Sequence, residues 1–240
     1  FFTLASLNDF PENVDALRPE GRVHAPIRGR KPYLEELDVP CAENEPEVVI
    51  IGGGHNGLMT AARLKAIGIR SVIIERNARV GDNWRNRYTS LALHTPLEAD
   101  QLAYMPYPST WTKFTPKDKL GDFLECYANL LDLSVWTGTT LNSVTQTEGG
   151  WTVEVTRADG SSRTLTPKHI VLATGMNGAA KRPAFPGQDA FRGEVMHAAD
   201  YDGAARQAGK RVVVVGSGVS GHDIAQDLAE QGVEVTMVQR

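Results

Sequence analysis

The chain has 240 residues, 41% of them apolar and 22% charged, with a net charge of −4. That balance is ordinary for one large or two small globular domains, and the mild acidity gives no electrostatic case for a nucleic-acid or anionic-membrane partner. No apolar run approaches the roughly 20 residues of a membrane span. The opening FFTLASLNDFPEN has neither a basic region nor the apolar core of a secretion signal. Cys41 and Cys126 form no C-x-x-C pair, which points to a reducing, cytoplasmic setting. The six histidines are scattered rather than set at metal-ligand spacing, so no metal site is expected. The chain begins with Phe1 rather than Met and stops at Arg240 in a strand-like run, so both ends are expected to be cuts in a longer polypeptide.

Residues 1–46 carry Pro11, Pro19, Pro26, Pro32, Pro40 and Pro46 with little periodicity, and read as a linker or wrapping arm. A helical turn or two is expected only at residues 31–37. From residue 47 the pattern changes. Val48–Ile51 is apolar on both faces, as a buried parallel strand is. It runs into Gly52, Gly54 and Gly57, the spacing G-x-G-x-x-G, with His55 and Asn56 inside the turn. The first glycine permits the tight turn, the second lets the backbone approach a pyrophosphate, and the third lets helix pack on sheet. The phosphates then meet unpaired N–H groups at a helix N-terminus. A helix over 56–67 and a strand at Ser71–Ile74, ending in Glu75 and Arg76, complete a β-α-β unit.

Residues 77–117 read as loop, and 117–131 as an amphipathic helix with Leu120, Phe123, Leu124, Tyr127 and Leu131 on one stripe. Alternating runs at 139–147, 151–157 and 163–166, separated by Gly149-Gly150 and Asp159-Gly160, predict a three-stranded antiparallel meander. Another buried strand is expected at 169–173, closed by Thr174-Gly175. Residues 178–209 read as loop, and Arg211–Val215 opens a second β-α-β unit.

The two units repeat at an offset of 164: Gly216, Gly218 and Gly221 stand where Gly52, Gly54 and Gly57 stood, with Ser217 and Ser220 between and beside them. Two dinucleotide sites are therefore expected. Glu75 can accept hydrogen bonds from the ribose hydroxyls of an unphosphorylated adenosine. The same offset gives Gln239, followed by Arg240; loss of the acid removes repulsion against a 2′-phosphate, and a guanidinium can pair with one. Arg76 occupies the position equivalent to Arg240, so the acid-to-amide change is the discriminating feature. The first site thus suits FAD and the second NADPH, unless these strand ends are simply polar surface. The expected fold class is α/β: two Rossmann-like, glutathione-reductase-type dinucleotide-binding units, a small antiparallel meander in the first, and the C-terminal part missing. The expected divisions are an arm at 1–46, an incomplete FAD domain at 47–178, an interdomain segment at 179–209 and the start of an NADPH domain at 210–240. Strand edges and apolar faces would be left uncovered, so the segment is not expected to turn over alone.

Between the units, FRGEVMHAADYDG places Phe191, Gly193, His197 and Tyr201 on the pattern F-x-G-x-x-x-H-x-x-x-[FWY]. With that signature residues 47–240 resemble class B flavin-dependent monooxygenases, most closely the flavin-containing branch that includes YUCCA-type indole-pyruvate enzymes. G-K-R-V-x-V-V-G at 209–216 and L-x-L-H-x-P at 91–96 look like theirs too. The Baeyer–Villiger branch usually has Trp where this chain has Tyr201, which argues mildly against that chemistry. The resemblance implies that NADPH gives a hydride to the flavin, that dioxygen adds at the flavin 4a carbon to form a hydroperoxide, and that one oxygen atom enters a small organic substrate. It implies that the Phe191–Tyr201 signature couples the nucleotide domains. It also implies flavin contacts from Trp84 and Arg87 in GDNWRNRY, with Asp82 and Asn83 beside them, and from His94, Thr95, Val144, Thr174 and Gly175. His94 falls where mammalian-type members place an Asn near the flavin, which makes it the candidate for stabilising the peroxide or moving a proton; a structural histidine is the alternative, as a plain core aromatic is for Trp84.

Rival readings divide by chemistry. A disulfide reductase needs a redox cysteine pair soon after the first ribose-binding acid, and no cysteine lies between Glu75 and Cys126. An NADPH oxidase that releases hydrogen peroxide shares the nucleotide motifs, and a non-enzymatic flavin-binding protein or inactive fragment is the remaining alternative. The substrate and the oligomeric state are left open.

Overall fold

A four-residue strand of Val and Ile is stable only where both faces are covered, and β1 (Val48–Ile51) is buried along its whole length. The structure, a computed structural model, describes residues 45–176 and 180–239. The proline-rich arm up to residue 44, the expected turn at 31–37, Cys41 and Arg240 lie outside the described residues. The chain divides into two compact units.

The first unit comprises the described residues up to Arg85 together with Thr95–Gly175. Its centre is a parallel sheet in the order β3-β2-β1-β7, from β2 (Ser71–Ile74), β3 (Val135–Trp136) and β7 (His169–Leu172). Val49 stands opposite Val72 on one side and Ile170 on the other. Strand alternation sends Val49, Ile51, Val72 and Ile74 to one face. There they form a core with Trp136, Val153, Val155 and Leu165. The last three come from the antiparallel meander β4 (Thr140–Thr147), β5 (Gly150–Thr156) and β6 (Ser162–Leu165). Helix α1 (His55–Ala66) packs on β1 and β2 and buries Leu58, Ala61 and Ala62. A short α2 (Asp82–Arg85) and α3 (Lys117–Leu130) follow in chain order, and α3 buries Leu120, Phe123, Leu124 and Tyr127.

Several expectations need adjustment. Helix α1 begins at His55 rather than 56, because Gly54 already serves as its N-cap. Strand β7 is half-buried rather than fully buried, with Leu172 74% exposed, because it lies at one edge of this sheet. The loop-rich stretch holds more order than its composition suggests: Tyr107, Trp111 and Phe123 stack as one aromatic group, their ring centroids 4.5–5.5 Å apart.

The second unit joins Asn86–His94 to the described residues from 176 onward. It contains the parallel pair β8 (Arg211–Val215) and β9 (Glu234–Val238), with α4 (Val219–Glu230) between them. Three hydrogen bonds bring the early segment here: Thr89 Oγ1 donates to the Asp202 carbonyl at 2.6 Å, Tyr88 to Asp223 at 2.6 Å, and His94 Nε2 lies 3.0 Å from Asp223. Asn86–His94 thus lies in the second unit. Among the described residues, no helix is long and apolar enough to cross a membrane, and no group of three metal-ligating side chains comes together.

Candidate functional site

Two glycine-lined cradles stand at the C-terminal ends of parallel strands, where open α/β sheets bind their ligands. In the first unit Gly52 turns with φ +110°, a conformation that side chains resist, and its N–H donates to the Ile74 carbonyl at 2.9 Å. A Cβ on Gly57 would lie 1.9 Å from the Gly52 carbonyl oxygen, so only glycine lets α1 approach the strand this closely. Gly54 differs. A Cβ there would meet only Asn83 Nδ2, at 3.3 Å, so its missing side chain leaves space over the turn. No side chain caps α1 and no acidic residue lies in its first turn, which leaves the positive end of the helix unneutralised.

Glu75 closes the cradle from β2 and is buried. Its Oε2 accepts from Gly53 N–H at 2.7 Å, and its Oε1 accepts from the backbone N–H and the side-chain amide of Asn77 at 2.8 and 2.7 Å. A carboxylate has about four acceptor sites. Three are filled by the chain, so the group is held as an acceptor with capacity for one more donor. Asn77 was not singled out in the sequence; the signal available was an Asx residue two positions after the acid, in a turn.

Trp84, on α2, is half-buried, and its indole N–H is enclosed with no acceptor among the described residues. Its ring meets the edge of His55 at 5.7 Å and 87°. His55 Nε2 lies 3.3 Å from the Tyr107 hydroxyl, and burial pushes the imidazole down to about 4, so it is neutral near pH 7. Asn83 reaches the turn, as noted. Asp82 is used internally, with one oxygen on Arg85 at 3.0 Å and the other accepting from the Arg79 N–H at 3.2 Å. Thr95 donates to the Asp100 carboxylate. Thr174 and Gly175 lie exposed just past β7, with the Thr174 amide nitrogen 3.4 Å from where a Cβ on Gly52 would be. Asn56 and Arg76 are exposed, and Val144 projects from β4 partly exposed.

The second unit repeats the geometry. Gly216 has φ +109° and donates to the Val238 carbonyl at 2.9 Å; a Cβ on Gly221 would lie 2.3 Å from the Gly216 oxygen; Gly218 caps α4 with open space around it. Ser217 is partly buried near this turn and Gln239 is exposed at the end of β9.

The signature residues have local structural tasks. A Cβ on Gly193 would strike the Phe191 ring at 2.5 Å, so the glycine makes room for a ring that is itself 61% exposed. His197 Nδ1 accepts from Ala199 N–H at 3.0 Å and caps a single 3-10 turn, Ala198–Asp200. Tyr201 is buried and donates to Asp227 on α4, which also accepts from Ala204 N–H at 3.1 Å. One turn earlier on α4, Asp223 Oδ2 takes Tyr88 and His94. Burial and the neighbouring carboxylate push the Tyr88 phenol up to about 12. The Arg87 guanidinium lies 5.9 Å from the Tyr88 ring. Asp223, Asp227 and Tyr88 were not singled out in the sequence; two acids four apart on a helix was the one local signal. Of the expected first-site residues, Arg87 and His94 thus belong to the second unit.

Comparison with known proteins fits this arrangement. The model of the pyridine nucleotide-disulphide oxidoreductase family matches residues 49–240. Indole-3-pyruvate monooxygenase YUCCA1 of Oryza sativa subsp. japonica is 35% identical over 198 residues, which is 81% of this chain and 48% of that protein. A flavin-containing monooxygenase from Stenotrophomonas maltophilia superposes with a TM-score of 0.72 at 27% identity, over 81% of this chain and 58% of its own. OTEMO, in a complex with FAD and NADP, superposes with a TM-score of 0.62 at 25% identity, over 81% of this chain and 39% of its own. The chain spans about half the length of the curated relatives it matches. It belongs to the pyridine nucleotide-disulphide oxidoreductase family, and its resemblance to the flavin-dependent monooxygenases holds.

Proposed function

We propose that this protein is an FAD- and NADPH-dependent monooxygenase that places one oxygen atom of dioxygen in a small organic substrate. The observation that carries the reading is the duplicated cradle, closed by a buried acid in one copy and ended by an amide in the other. The first cradle fits a dinucleotide: Gly54 leaves space over an unneutralised helix end, and the enclosed Trp84 N–H, without an acceptor among the described residues, could donate to a bound cofactor. FAD, when bound, supplies the activation of dioxygen with electrons drawn from NADPH.

The chain's own groups then have definable tasks. Gly52, Gly54 and Gly57, with His55 and Asn56, would hold the flavin pyrophosphate. Glu75 would accept from a ribose hydroxyl, and Trp84 would donate to the cofactor. Gly216, Gly218 and Gly221, with Ser217 and Ser220, would hold the reducing nucleotide. Gln239 carries no charge to repel a 2′-phosphate, and Arg240 would pair with one. His94 would hold or move the proton, and Phe191, Gly193, His197 and Tyr201 would keep the connecting segment in place.

The test is steady-state turnover of the full-length protein with NADPH and NADH, with oxygen uptake and hydrogen peroxide followed together; indole-3-pyruvate is the first probe because of the similarity to the rice enzyme. Preference for NADPH and substrate-dependent oxygen uptake without stoichiometric peroxide support the reading. Equal use of NADH refutes the assignment of the second site, and peroxide equal to NADPH with every substrate tried makes the protein an oxidase.

A further inference from the structure

His94 has a partner that the sequence did not reveal. Its Nε2 lies 3.0 Å from Oδ2 of Asp223, a residue 129 positions later, on α4. A carboxylate can only accept, so the neutral imidazole that makes this bond carries its proton on Nε2. We infer that Asp223 is the positioning residue for His94, fixing the ring's orientation and the Nε2–H tautomer so that Nδ1 is left as the nitrogen that accepts a proton.

Three observations support this arrangement. The same Oδ2 accepts from the Tyr88 hydroxyl at 2.6 Å, so the carboxylate is pinned from a second side. Burial and the neighbouring carboxylate push the Tyr88 phenol up to about 12, so it remains a donor near neutral pH. The Asp223 side chain is 21% exposed against 46% for His94, so the acid is the sheltered member and the ring keeps a face toward solvent, where small molecules can reach it. The network Tyr88–Asp223–His94 thus ties the imidazole to α4, the helix that the second glycine cradle opens. Outer partners that fix a histidine tautomer are a general device for making one ring nitrogen the reactive one. The use of that nitrogen for proton movement rests on the monooxygenase reading; the tautomer does not.

The experiment is proton–nitrogen NMR of the histidine-labelled protein in alkaline buffer, with His94→Gln to assign the ring. Expected is a slowly exchanging Hε2 signal for His94, lost in Asp223→Ala and recovered in Asp223→Glu. In turnover, Asp223→Ala should lower kcat about tenfold with little change in KM, and should cost nothing further in the His94→Gln background, as for two residues acting as one. A proton found on Nδ1, or an Hε2 signal that persists undiminished in Asp223→Ala, overturns the inference. Additive losses in the double variant overturn it as well. If the signal behaves as expected but no substrate is oxygenated, the monooxygenase reading fails and the positioning of His94 by Asp223 stands.

Discussion

Gly54 and Gly57 occupy the same turn, yet alanine should act on them in opposite ways. At position 57 a methyl would lie 1.9 Å from the Gly52 carbonyl, a contact with backbone that cannot yield without moving α1 off the sheet. Gly57→Ala is expected to cost about 3 kcal/mol or more and to lower the thermal midpoint. At position 54 a methyl meets only the end of Asn83, so Gly54→Ala should leave the midpoint nearly unchanged and lower flavin content instead. Equal effects on stability would mean that the two glycines share one role. His55 offers a second test. The unfolded chain takes up a proton as pH falls through 6.5, but the buried ring resists until about 4. Stability is therefore full above 6.5 and is lost on acidification across that window, by about 3 kcal/mol when complete. Urea midpoints measured across the window should fall less in His55→Gln than in the parent, and parallel slopes would remove His55 from the explanation. Residues such as Gly57 were legible in the sequence because their constraint is local. His55 was readable as a turn residue but not as a buried, neutral one, since its burial comes from Trp84 and Tyr107, which lie 29 and 52 positions away.

At the scale of elements, α4 is held by acids facing the segments that cross it. Tyr201 donates to Asp227, and Tyr88 and His94 meet Asp223. Tyr201→Phe removes one donor from a carboxylate that, among the described residues, then keeps the Ala204 N–H. The expected loss is about 2 kcal/mol, read as a lower thermal midpoint for the second unit; an unchanged midpoint would show that the phenol is dispensable to the fold. The repeated β-α-β units were legible because each is set by apolar runs and glycine spacing within 29 residues. β3 was not: two residues carry no periodicity, and Val135–Trp136 is a strand only because Ile73 and Ile74 pair with it. Nor was the membership of Asn86–His94, because the bonds that decide it span more than 100 positions.

For the whole molecule the sequence repeat and the structure agree on the essential point, two cradles of the same geometry, with φ +110° and +109° at the first glycines and the second glycines capping the helices. What distinguishes the copies is the strand end, a buried Glu75 held by three N–H donors against an exposed Gln239. The acid-to-amide change was visible in the residues; the enclosure of the acid was not, because it depends on how Gly53 and Asn77 fold around it. The most direct measurement is isotope incorporation: turnover of the full-length protein with NADPH under labelled dioxygen, with the organic product analysed by mass spectrometry. One labelled oxygen atom per product molecule, with NADPH consumed in equal amount and NADH a poor substitute, is the expected result. Product without label, or NADPH oxidation that ends entirely in hydrogen peroxide, would contradict it.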